Sequence, residues 1–342
     1  MARSSPNKHN QANIKFYLES STMVDYGRAL FSLPTMLVGA RVTSLSVIIP
    51  AFNEAARLPL TLAQSLDFLR EHEVLRSWEL IVVDDGSTDD TSACVQRQRR
   101  QPQGVPPDAA SRVRLLRSVR NHGKGAALAA GASCARGDHV LFMDADGGTP
   151  IAALSKLEGA MHRSDDTCAT IVVGSRSMPR PWNRQLMGRV FRWLASTCVD
   201  GVDDTRESAS HHEAPRYAGH DATAERVCED DTCCWSSLMT AECGFKLLTR
   251  EAAVATMPHL HVCRWAYDVE LLHLAQRRGI RVASAAVPAV DVEGSKVRWH
   301  TPAAMMLDVL RIGALYRLGI WRMSDRACRG AVEAYEEQAL ED

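Results

Sequence analysis

The sequence predicts an α/β fold: one domain on a mainly parallel central sheet flanked by helices, with further helices towards its C-terminal end. Three observations carry this. Short β-rich apolar runs alternate with segments of helical period, which implies right-handed crossovers and parallel pairing. Each of the first runs stops at a proline, glycine or acidic turn, as strands feeding loops do. Composition is that of a globular chain, with 46% hydrophobic and 24% charged residues over 342 positions, enough for one elaborated domain or two smaller ones.

The first strand is Leu45 to Pro50, and Leu58, Leu62, Leu66 and Leu69 follow at helical spacing. Trp78 to Val83 is the second strand, running into Asp84-Asp85-Gly86-Ser87-Thr88-Asp89-Asp90. There Gly86 permits the turn, and Ser87 with Asp90 reads as a capping box for a helix over about 91–100. Val113 to Ser118 is the third strand, and Asn121-His122-Gly123-Lys124-Gly125 opens an Ala-rich helix ending near Ala135. His139 to Met143 is the fourth, Ile151 to Met161 a helix and Thr170 to Gly174 the fifth strand. Beyond a helix over Leu186 to Cys198, residues 200–235 lose all period and are acidic, which predicts a disordered insertion. Order resumes at Gly244 to Leu248, with a helix from about Trp265 to Arg278, an extended run Val282 to Val290 and a last apolar helix from Pro302 to about Leu318. The expected organisation is a weakly structured leader over 1–43, a domain over 44–321 and a tail over 322–342.

Ligands of such sheets bind beyond the carboxyl ends of the strands. That rule sets Asn53 and Glu54, Asp84 and Asp85, Lys124, and Asp144 with Asp146 along one rim. Asp-x-Asp alone favours a plain turn; four polar clusters on one rim suit a nucleoside diphosphate. Asp84 and Asp85 then offer acceptors to base or ribose, Lys124 faces phosphate, and Asp144 and Asp146 are hard oxygen ligands for Mg2+ or Mn2+. Asn121 to Gly125 is not a Walker loop, and no dinucleotide fingerprint follows the first strand. With 40 Lys and Arg against 41 Asp and Glu, net charge −1, no basic field points to nucleic acid.

Four of these segments, Val47 to Glu54, Val82 to Ser87, Asn121 to Gly125 and Asp144 to Gly147, resemble the serial motifs of family 2 glycosyltransferases. Downstream, Gly174-Ser175-Arg176, Cys243 to Leu247, Arg264 to Leu272 and Glu293 to Lys296 are similar to the branch that glucosylates dolichyl phosphate. The resemblance covers about Leu45 to Trp321 without the insertion. It implies a GT-A fold, UDP-glucose as donor, dolichyl phosphate as acceptor and the cytosolic face of the endoplasmic reticulum. It also implies that Pro50, Ala51, Asn53 and Glu54 with Asp84 and Asp85 hold the nucleoside, with Lys124 and Gly125 beside the phosphates. Asp144 and Asp146 would hold ribose and metal, Arg176 and Lys296 are the candidates for the acceptor phosphate, and Ser295 and Asp268 are further substrate-binding positions. The implied chemistry is a single in-line displacement with inversion. A GDP-mannose-dependent relative and a catalytically silent nucleotide-sugar binder stay open, since the family's Asp-Thr-Gln is Thr240-Ala241-Glu242 here.

No transmembrane helix is predicted: the run Ala29 to Ala40 holds Pro34 and falls short of the ~20 apolar residues a span needs. The last helix is apolar around most of its circumference, which suits burial or docking on a membrane surface, with Arg311, Arg317 and Arg322 near headgroups. The ten cysteines are scattered, and reduced thiols are expected. His211, His212, His220, Cys228, Cys233 and Cys234 match no zinc spacing. Oligomeric state has no sequence signature.

Overall fold

The computed structural model describes residues 42–72, 74–100, 109, 111–162, 169–176, 243–290, 292, 301–325 and 327–338. The leader, the helix expected over Leu186 to Cys198 and the insertion over 200–235 lie outside these, apart from the leader's last two positions. Strands β1 (Ser44–Ala51), β2 (Ser77–Asp85), β3 (Val113–Ser118) and β4 (His139–Phe142) form the parallel heart of the sheet. β5 (Thr170–Arg176), β6 (Lys246–Thr249), β7 (Arg281–Val287) and the short β8 (Glu336–Glu337) complete the order β7-β5-β6-β4-β1-β2-β3-β8. The sheet is mainly parallel, with two exceptions. β6 runs antiparallel between β4 and β5, and β8 runs antiparallel on the β3 edge.

Alternation along each strand divides the core between two faces. Ile48, Ile81, Val83 and Phe142 point to one face, Val47, Ile49, Leu80 and Leu141 to the other. Helix α1 (Leu58–Glu71) lays Leu58, Leu62, Leu66 and Leu69 on the second face, all buried, at about 2 kcal/mol each. α3 (Lys124–Cys134) covers the first face with alanines, and Gly131 lets it press on Ile48, where a Cβ would stand 2.5 Å from the isoleucine methyl. Between them in sequence, α2 (Thr91–Arg100) packs Val95 inward. Its start corrects the expected capping box. Asp89, not Ser87, accepts the Thr91 amide (3.0 Å): the helix starts at Thr91, too far past Ser87 for it to be the cap, and Ser87 Oγ instead accepts the Asn53 amide at 2.9 Å.

A 3-10 turn (Ile151–Ala153) leads into α4 (Leu154–His162), and α5 (Arg250–Thr256) and α6 (Tyr267–Arg277) follow β6. α7 (Thr301–Arg317) buries Val309 and Ile312 but leaves Leu307, Leu310, Leu318 and Ile320 exposed around it and the turn beyond. No helix among the described residues is long and apolar enough to cross a membrane. Past the boundary expected at 321, α8 (Arg329–Val332) leads into β8. The expectation of reduced thiols fails for one pair: Cys263 and Cys328, 65 positions apart, form a disulfide, while Cys94, Cys134 and Cys243 are free. Scattered spacing conceals a pairing that only the fold brings within reach.

Candidate active site

The carboxyl ends of β1, β2 and β4 and the start of α3 meet at one rim. The first two loops are stitched together. Asn53 adopts the left-handed region (φ 54°), and its Oδ1 accepts the Thr88 amide at 2.8 Å. The Glu54 amide donates to Thr91 Oγ1 (2.8 Å) and the Ala55 amide to Asp89 (3.1 Å). Pro50 and Ala51 pair in register with Val83 and Asp84 beneath this junction.

Asp84 and Asp85 differ in surroundings. Asp84 has no exposed surface; one oxygen accepts the Ser87 amide (2.8 Å) and the other the Ser92 hydroxyl, so its carboxylate shapes the turn. Asp85 accepts the His122 amide on Oδ1 (2.7 Å) and the Gly123 amide on Oδ2 (2.8 Å), tying the second loop to the Lys124 loop. Burial pushes its carboxyl up, against the opposing pull of the hydrogen bonds from Tyr335, His122 and Gly123.

The Lys124 loop needs its glycines. Gly123 sits at φ 105°, where L side chains are strained, and a Cβ on it would lie 2.5 Å from the Cys263 carbonyl oxygen. A Cβ on Gly125 would meet Tyr267 Cβ at 2.7 Å. Lys124 is thereby set at the first turn of α3, its Nζ donating to Asp144 Oδ1 at 2.6 Å and lying 5.7 Å over the Trp265 ring.

Asp144 and Asp146 follow β4 into a turn closed by Gly147 (φ 70°) and held by Thr61 Oγ1, which donates to the Ala145 carbonyl at 2.9 Å. Burial would raise the Asp144 carboxyl, but Lys124, then Lys246 and Arg176, outweigh it and hold the group below the usual carboxylate range. Burial likewise opposes the Lys124 ammonium, and Asp144, Asp268 and Asp146 win, raising it. Asp146 is half-buried. Its Oδ1 accepts the Gly148 amide (2.9 Å), and its Oδ2 has Arg57 at a loose 4.0 Å.

Three residues that the sequence reading passed over join this cluster. Arg57 clasps Glu54 through two bonds (2.7 and 2.5 Å) and so turns the first loop towards Asp146. Lys246, on β6 opposite Phe142, is wholly buried between the Cys243 carbonyl (2.6 Å) and Asp268 (2.8 Å). A lysine inside an apolar strand was the available signal. Gly244 is the third: a Cβ there would lie 2.3 Å from Asp144 Oδ2, so the β6 approach runs directly against that carboxylate.

Asp144, Asp146, Glu54, Lys124 and Arg176 thus converge, with Arg176 at the end of β5 acting on Asp144 through space. Asp268 reaches the cluster through Lys246. Ser295, Lys296, Thr240-Ala241-Glu242 and the His/Cys group lie outside the described residues. Among the described residues no three His, Cys, Asp or Glu side chains are grouped to enclose a metal. Two carboxylates, one held ionised by Lys124 and one with its Arg57 contact at a loose 4.0 Å, instead fit a cation that takes its remaining ligands from a diphosphate.

Comparison with known proteins identifies the family and the fold. The family model described as Glycosyl transferase family 2 matches residues 46–219. A dolichyl-phosphate beta-glucosyltransferase of Dictyostelium discoideum is 35% identical over 82% of this chain and 76% of its own. The Mus musculus protein of the same name is 33% identical over 90% of this chain and 85% of its own. In structure, the glucosyl-3-phosphoglycerate synthase of Mycobacterium tuberculosis, crystallised with Mn2+, UDP and glucosyl-3-phosphoglycerate, superposes with a TM-score of 0.52. It is 19% identical and covers 84% of this chain and 86% of its own, which shows a shared fold.

Proposed function

The chain belongs to glycosyltransferase family 2, among the dolichyl-phosphate β-glucosyltransferases, and from that membership we propose that it transfers glucose from UDP-glucose to dolichyl phosphate. The observation that carries the reading at atomic level is the rim cluster in which Lys124 pins Asp144 at 2.6 Å beside an Asp146 whose Arg57 contact is a loose 4.0 Å. Uridine belongs at the stitched loops of Asn53–Glu54 and Asp84–Asp85, with Asp85 the nearer acceptor and Asp84 shaping the turn. The diphosphate belongs between Lys124 and the Asp144–Asp146 turn.

Mg2+ or Mn2+ fits the carboxylates there, Asp146 above all, and when bound supplies positive charge to the departing diphosphate. The protein's own residues do the rest. Lys124 presents an ammonium that its neighbours keep protonated, and Arg176 with Lys296 orients the acceptor phosphate. A phosphate monoester with a second pKa of ~6 is largely ionised at neutral pH, so the acceptor attacks without a protein base. Inversion follows from a single in-line displacement, and catalysis rests on positioning and charge neutralisation.

The acceptor is a lipid, and the outward leucines of α7 with Arg311 and Arg317 form a face suited to an anionic membrane surface, here the cytosolic leaflet of the endoplasmic reticulum. The deciding experiment incubates the protein with a short polyprenyl phosphate, Mn2+ and either UDP-glucose or GDP-mannose. Glucosyl product that disappears in Asp146→Asn is the expected result. Preference for GDP-mannose, or no transfer from either donor, overturns the proposal.

A further inference from the structure

We propose that Tyr335 is a positioning residue for the nucleoside end of the donor site, delivered by the C-terminal arm to lock the Asp85 carboxylate in one orientation. The proposal rests on the assignment of the donor nucleoside to the rim loops above.

Tyr335 lies 250 positions from Asp85 in sequence, yet its hydroxyl donates to Asp85 Oδ1 at 2.5 Å. A carboxylate has about four acceptor places, two on each oxygen. On Asp85 the His122 amide and Tyr335 hydroxyl fill both places on Oδ1, and the Gly123 amide takes one on Oδ2. Among the described residues this leaves one acceptor place, on Oδ2, and the Tyr335 bond fixes Oδ1 as the fully used oxygen. The Tyr335 ring also rests against His122, centroids 5.7 Å apart, so the same residue touches both the second rim loop's carboxylate and the loop that carries Lys124.

The arm is built to hold this contact. β8 pairs Glu336 and Glu337 with Arg117 and Leu116, and the Gln338 amide donates to the Leu115 carbonyl at 2.8 Å. Arg114 grips Glu337 through two bonds of 2.8 Å and reaches Glu79 at 2.7 Å. At the other end Cys328 is bonded to Cys263, whose carbonyl accepts the Ala126 amide at 3.1 Å inside the first turn of α3. Both ends of the arm are therefore fastened to the elements that carry Asp85 and Lys124. A tail needed only to cover a sheet edge would not require a hydroxyl on a buried carboxylate.

The test is calorimetric titration of UDP and UMP into the full-length protein and its variants, with steady-state kinetics beside it. Tyr335→Phe keeps the ring and removes one charge-assisted hydrogen bond, so Kd for UDP and for UMP should rise by the same factor, about tenfold. KM for UDP-glucose should rise with it while kcat and the acceptor KM stay within about threefold. In an Asp85→Asn background the same change should add nothing further. Glu337→Gln loosens the arm without touching the Tyr335 hydroxyl and should raise the same Kd by a smaller factor, which keeps the test available if Tyr335→Phe folds poorly. A UDP Kd within twofold of wild type in both variants, or full additivity with Asp85→Asn, overturns the inference. Wild type that binds GDP in place of UDP overturns the donor assignment instead, and the same series run with GDP and GMP then decides the role of Tyr335.

Discussion

Gly244→Ala should abolish most glucosyl transfer while leaving the fold intact. The added Cβ would stand 2.3 Å from Asp144 Oδ2 and 2.6 Å from Cγ, where ordinary contact begins near 3.4 Å, so one partner must move by about 1 Å. The glycine cannot retreat easily. The next residue's carbonyl accepts the Gly174 amide at 2.9 Å, and Lys246 donates to the Cys243 carbonyl at 2.6 Å. The shift therefore falls on Asp144, which is tied to Lys124 at 2.6 Å and drags the lysine with it. A misplacement of about 1 Å at a reacting centre costs roughly a hundredfold, about 2.7 kcal/mol in activation free energy. Stability should hardly change, because Gly244 is not among the left-handed glycines and alanine narrows the unfolded ensemble by a few tenths to 1 kcal/mol. Transfer from labelled UDP-glucose to a short polyprenyl phosphate, read beside a thermal melt, separates the two effects. Activity above a third of wild type would refute the reasoning, and so would a loss of activity accompanied by a fall in Tm of more than about 8 °C, which would mean unfolding.

Two further outcomes follow from groups away from the rim. His273, buried on α6 with neither ring nitrogen hydrogen-bonded, has its pKa pushed down to about 4 by burial, so it favours the folded state above its unfolded value of about 6.5 and costs stability as pH falls towards 4. His273→Leu should raise stability by about 1 kcal/mol at pH 7.5 and by on the order of 3 kcal/mol more near pH 4, measured by urea unfolding across that range; parallel pH profiles for variant and wild type would count against it. Replacing Leu310 and Leu318, 42% and 70% exposed, with glutamate should strip the protein from phosphatidylcholine–phosphatidylinositol vesicles in a sedimentation assay while transfer to a water-soluble acceptor persists; unchanged vesicle binding would remove α7 from the membrane surface.

The parallel half of the sheet was legible because each strand is a short apolar run ended by a turn residue. Val113–Ser118 and Thr91–Arg100 fall on the bounds expected for them. The rim was legible for a related reason, since parallel strands send the residues after their last apolar step to one edge. What could not be read depends on contacts remote in sequence. β6 gives no sign in its own four residues that it runs antiparallel between β4 and β5, yet that insertion brings Lys246 and Gly244 to Asp144. Ser87 had the right spacing for a cap, but the helix starts four residues on, and its hydroxyl serves the Asn53 amide 34 positions away. Tyr335 and the Cys263–Cys328 bond have no local pattern at all, because edge pairing and disulfide partnership are settled by tertiary proximity.

The two aspartates of the Asp-x-Asp turn are made unequal by their neighbours, and the inequality bears on how a diphosphate is received. Asp144 lies among Lys124, Lys246 and Arg176, which hold it ionised and compensate its charge from within the protein. A carboxylate so neutralised has little attraction left for an added cation, but it keeps Lys124 extended towards the rim, where an ammonium can be shared with phosphate oxygens. Asp146 keeps one oxygen on the Gly148 amide and, among the described residues, has a loose Arg57 at 4.0 Å on the other, whose own guanidinium is committed to Glu54. Its outer oxygen is therefore the less compensated of the pair and the better hard ligand for a divalent ion. One turn thus places a prepaired lysine and a less compensated carboxylate side by side. An incoming nucleoside diphosphate would meet positive charge on one flank and a seat for its cation on the other.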